Sequence, residues 1–112
     1  MARAMVLDDG EMRLAIVVVD SLMIQRDLLD VAKQAAHEST GIPTERMLIS
    51  ATHTHSAPSA MGCLGSRADA AYQPFLVEQI AKSIHLAAEK LQPAKVGWTV
   101  VKDYDHNHCR RW

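Results

Sequence analysis

Leu14-Ala15-Ile16-Val17-Val18-Val19 is an unbroken apolar run, and four of its six residues are β-branched. It is too short for a helix and does not alternate, so it reads as a strand that needs apolar cover on both faces. Asp20 and Ser21 end it. Upstream, Ala2 to Leu7 alternates weakly and reads as a second strand. Asp8-Asp9-Gly10-Glu11 between them is a turn, with Gly10 free to take positive φ, so the two strands form a hairpin.

Beyond Asp20 the pattern becomes helical. Ile24, Leu28, Val31, Ala32 and Ala35 recur at helical spacing, which predicts an amphipathic helix over Ile24 to Glu38. Gly41 and Pro43 stop it. Met47 to Thr52 is the next apolar strand. A small-residue loop, Ser56 to Arg67, leads to a longer helix from about Gln73 to Leu91, with Leu76, Ile80, Ile84, Ala87 and Leu91 as its stripe. Pro93 ends that helix, and Lys95 to Lys102, carrying Val96, Trp98, Val100 and Val101, predicts a last strand. The order β-β-α-β-α-β with helix-length crossovers implies an α/β fold with a mainly parallel sheet. Ligands of such sheets bind beyond the strands' carboxyl ends.

Composition narrows the partners. The chain has 112 residues, a formal net charge of −1 and interspersed charges, which predicts no nucleic-acid binding and no electrostatic attraction to an anionic membrane. No apolar run approaches a transmembrane span, and Met1-Ala2-Arg3-Ala4 opens no signal peptide. Cys63 and Cys109 imply neither a disulfide framework nor a zinc knuckle, so the compartment is not readable. The chain begins almost inside a strand and closes on Cys109-Arg110-Arg111-Trp112, a dense polar and aromatic cluster, so it is expected to be part of a larger catalytic domain.

The chemistry concentrates in Ala51-Thr52-His53-Thr54-His55-Ser56-Ala57-Pro58, directly after a buried strand. In extended backbone His53 and His55 project to one side. Two such imidazoles bind a metal together, or one binds metal and the other substrate. The plainer reading is a pair of polar residues satisfying hydrogen bonds at a strand end. Asp20 is a helix N-cap or a carboxylate at the strand's C-terminal edge, where it is placed to fix a histidine tautomer. Arg110 and Arg111 are hydrogen-bond forks for a carbonyl or carboxylate, or solvated charges. His106 and His108 form a second His-X-His in a polar loop.

The eight-residue stretch Ala51 to Pro58 resembles the hallmark of the neutral (non-lysosomal) ceramidase family. Ala2 to Asp9, the apolar strand ending at Val19-Asp20, and Gly41-Ile42-Pro43 ahead of the motif strand follow that family's order, so the similarity runs along essentially the whole chain. The resemblance implies a zinc amidohydrolase cutting the N-acyl amide of ceramide to sphingosine and a fatty acid. It places a zinc ligand on His53 and an active-site histidine near the scissile carbonyl on His55. It also places a carbonyl- or carboxylate-binding arginine on Arg110, with Arg111 second. Cys109 stands where the family has asparagine, and Ala57 where it usually has glycine. Residues 1–112 are then an N-terminal segment of the catalytic domain. The remaining zinc ligands lie elsewhere, and this chain alone is inert and binds zinc poorly. Family members are often secreted or membrane-associated. The alternatives are a metal-dependent hydrolase of another amide or ester, and a non-catalytic α/β module.

Overall fold

The computed structural model describes residues 1–63 and 65–106. Strands β1 (Ala2–Asp8), β2 (Arg13–Val19) and β3 (Met47–Ala51) form one sheet in the order β1-β2-β3. Helices α1 (Arg26–Thr40) and α2 (Tyr72–Glu89) complete the fold, with a single 3-10 turn, Thr44–Arg46, leading into β3.

The β1–β2 hairpin forms where the sequence places it. Gly10 sits at φ 94°, and the carboxylates of Asp8 and Asp9 accept from the turn's own amides: Gly10 on Asp8, Glu11 and Met12 on Asp9. Arg13 Nε reaches across to Asp8 Oδ2 at 2.6 Å. α1 ends at Gly41, φ 73°, whose amide caps the His37 carbonyl, and the His37 ring donates from Nδ1 to the Ile42 carbonyl at 2.9 Å. Its role is structural.

Both helices cover the same face of the sheet. Val6, Ala15, Val17, Val19, Met47 and Ile49 point into a core closed by Ala32, Ala36, Leu76, Ile80 and Ile84. Alanines at Ala15, Ala32 and Ala36 leave room for close approach, and the long aliphatics of α2 supply most of the volume. The expected stripe of α1 divides. Ala32 is buried, alongside Ala36, which the stripe does not include, whereas Val31 is 56% exposed and borders, with Leu28 and Ala35, a shallow outward groove against α2.

Two expectations are corrected. The sheet is mixed rather than mainly parallel: β1 pairs antiparallel with β2, and only β2 with β3 is parallel. The strand expected over Lys95 to Lys102 does not form among the described residues. Val96, Trp98, Val100 and Val101 are 65–95% exposed there. An alternating apolar pattern becomes a strand only where a sheet edge pairs with it, and among the described residues no strand pairs with this segment, although Val96 shares a hollow with Val6, Leu7 and Leu14. Among the described residues β3 is therefore an edge strand, flanked by β2 alone. Among the described residues no helix is long and apolar enough to cross a membrane.

Candidate metal and amide site at the end of β3

β2 and β3 run parallel, so their carboxyl ends lie side by side and deliver two loops to one place. The register pairs Val19 with Ala51, the last residue of each strand. The Val19 carbonyl then accepts twice, from Ser21 N–H and from Thr52 N–H, each at 2.9 Å. One carbonyl thus holds the start of both loops.

The strand stops at Ala51, and His53 takes φ 63°, the left-handed region. It is the only residue other than glycine to do so among the described residues. A side chain is held there at a cost, and such residues persist where surrounding bonds fix them. Here the fixing bond is visible: His53 Nδ1 lies 3.0 Å from the Leu22 carbonyl oxygen. A carbonyl only accepts, so Nδ1 carries the proton and Nε2 is the nitrogen left for a ligand.

His53 and His55 do come together, but not by strand alternation, because the backbone between them is no longer extended. The rings meet edge to face, centroids 5.1 Å apart and planes at 83°. Both are exposed to solvent. No ring nitrogen of His55 has a hydrogen-bond partner among the described residues. The loop that follows is tied down. Ser59 Oγ donates to the Met61 carbonyl, Asp69 N–H returns to the Ser59 carbonyl, and Gln73 Nε2 on α2 donates to the Ala60 carbonyl at 2.9 Å. Asp69 Oδ1 receives the amides of Ala71 and Tyr72 at the start of α2. Cys63, in the same loop, is half-buried and not in a disulfide.

Asp20 stands at the carboxyl edge of β2, as one reading of the sequence expects, but it neither caps α1 nor bonds a histidine. Its carboxylate pairs with Arg3 Nη1 at 3.2 Å, and α1 begins after Gln25 without a side-chain cap. The tautomer-fixing partner is the Leu22 main-chain carbonyl instead, which no sequence pattern announces. His106 closes its own turn, with Nδ1 3.1 Å from Asp103 Oδ1. The His106 amide, then its imidazole, with the Asp105 amide behind them, hold the Asp103 carboxyl below its usual value. Arg110, Arg111 and His108 lie outside the described residues.

The donor set fits zinc in kind. An imidazole whose far nitrogen donates to a backbone carbonyl is the usual form of a histidine ligand. Among the described residues no third histidine, cysteine, aspartate or glutamate joins the pair. A catalytic zinc takes three protein ligands and keeps one position open. No protein-family profile, curated protein or solved structure matches the chain.

Proposed function

We propose that this chain carries part of the active site of a zinc-dependent amidohydrolase of the neutral ceramidase type, acting on the N-acyl amide of a ceramide-like lipid. The observation that supports this reading is the His53 imidazole at the end of the parallel strand pair. Its Nδ1 is bound to the Leu22 carbonyl and its Nε2 has no partner among the described residues, with the His55 ring 5.1 Å away. The motif around it is the one that resembles the family.

In this reading His53 binds zinc through Nε2, and further ligands come from outside the described residues. A zinc ion held there supplies Lewis-acid polarisation of the amide carbonyl and a water acidic enough to attack near neutral pH. His55 donates a hydrogen bond to the carbonyl oxygen as it gains negative charge, or delivers a proton to the departing amine. Arg110 holds the carboxylate of the released fatty acid. Water adds across the amide, giving one carboxylate and one amine.

The two histidines separate experimentally in the protein that carries this chain. His53→Ala is expected to lose zinc and activity together. His55→Ala is expected to retain zinc and lose turnover about 10²–10³-fold, the cost of one oxyanion donor. Metal analysis beside hydrolysis of a fluorescent ceramide reads both. Equal zinc loss in the two variants would make both residues ligands, and full activity in either would remove the reading.

A further inference from the structure

We infer that the turn after β2, residues Ser21 to Met23, is the positioning element of the site: it keeps the His53 proton on Nδ1 and turns Nε2 outward as the donor atom. The inference rests on the zinc reading of His53 and adds how that ligand is aimed.

Three features carry it. Ser21 is fully buried, its amide is bound to the Val19 carbonyl, and its Oγ lies 3.4 Å from the Met23 carbonyl, so the turn is pinned at both ends. Thr52 N–H occupies the same Val19 carbonyl, so the turn and the histidine loop share one anchor. The Leu22 carbonyl, carried between the two pinned ends, meets His53 Nδ1 at 3.0 Å across 31 positions of sequence. An exposed imidazole attached only through its own side-chain bonds would rotate and exchange tautomers. This one is held by a main-chain acceptor and by its left-handed backbone. His55, two residues on, has no such acceptor among the described residues and is sorted to the opposite role, that of an N–H donor. Positioning a ligand ring in this way typically changes metal affinity or activity 10–100-fold.

Tautomers are read directly by long-range ¹H–¹⁵N spectra of the ¹⁵N-histidine-labelled 112-residue chain, at about pH 8, where imidazoles are neutral. His53 is expected to carry its proton on Nδ1, and added Zn²⁺ alone is expected to move the Nε2 resonance first. His37 is the internal control, because its Nδ1 also donates to a carbonyl, that of Ile42. In Leu22→Gly, and to a smaller extent in Ser21→Ala, the His53 tautomer is expected to drift toward that of His55 while His37 stays unchanged. A merely structural role for the turn would not move one histidine's tautomer and spare the other's. A proton on Nε2 of His53 in the unmodified chain, or a first zinc shift at Nδ1, overturns the inference, even if both variants fail to fold. The expected tautomers in a protein without amidase activity support the positioning and count against the hydrolase reading alone.

Discussion

At His53 the backbone conformation and the hydrogen bond are coupled, and substitutions can separate them. Left-handed backbone costs an L-residue roughly 1–2 kcal/mol, and the Nδ1–Leu22 bond returns about 1 kcal/mol. His53→Ala removes the bond and keeps the strain, whereas His53→Gly removes both. Glycine is therefore expected to be the more stable variant, by about 1 kcal/mol in urea unfolding. Alanine equal to or above glycine would mean that φ at this position is not positive. The same residue marks the limit of what the sequence discloses. The sequence predicts that His53 and His55 are adjacent, by the alternation of an extended backbone. The structure brings the rings together through a turn instead. Asp20 drew attention because carboxylates are visible in a sequence. The Leu22 carbonyl that takes the role belongs to every residue alike and has no signature.

At the scale of elements, the sequence is most legible where a segment's bonds are local. The hairpin is made by Asp8, Asp9 and Gly10 within a few residues of one another, and its register follows. α2 shows its stripe because Leu76, Ile80 and Ile84 face one core. Lys95 to Lys102 has an equally clear alternation and no strand, since pairing depends on a distant edge that the segment itself cannot supply. The hairpin also carries a pH dependence. The bond from Arg13, followed by the Gly10 amide, holds the Asp8 carboxyl below its usual 3.8, and the Met12 and Glu11 amides do the same for Asp9. A depressed carboxylate stabilises the fold above its unfolded pKa, and that contribution is lost as pH falls through the folded value. Stability is therefore expected to decline as pH falls below about 4. Replacing Asp8 and Asp9 together with asparagine should flatten that decline in thermal melts. An unchanged acid slope in the double variant would show that the turn carboxylates are not the groups responsible.

The whole molecule is a two-layer structure whose second sheet face is only partly covered among the described residues: Leu7 and Leu14 share a hollow with Leu91, Pro93, Ala94 and Val96, and the rest lies open. Opposite the helices, Met5 pairs across Ile16 to Leu48, with Leu7 and Leu14 on one side and Val18 on the other. Leu48 is 64% and Met5 49% exposed. This explains why β2 reads as a continuous apolar run: Ala15, Val17 and Val19 meet the helices, while Leu14, Ile16 and Val18 face outward. A contiguous apolar surface of this kind on a sheet with two open edges favours association. A net charge of −1 gives little repulsion to oppose it. The 112-residue chain is therefore expected to bind a hydrophobic dye while folded and to self-associate at micromolar concentration. Met5→Glu with Leu48→Glu places two like charges around Ile16 without touching the core, and acidic residues raise solubility more than basic ones. The double variant should keep the far-ultraviolet circular dichroism of the parent, lose most dye binding, and sediment as a monomer at concentrations where the parent does not. A parent chain that is monomeric and dye-free would overturn the open outward face of β2.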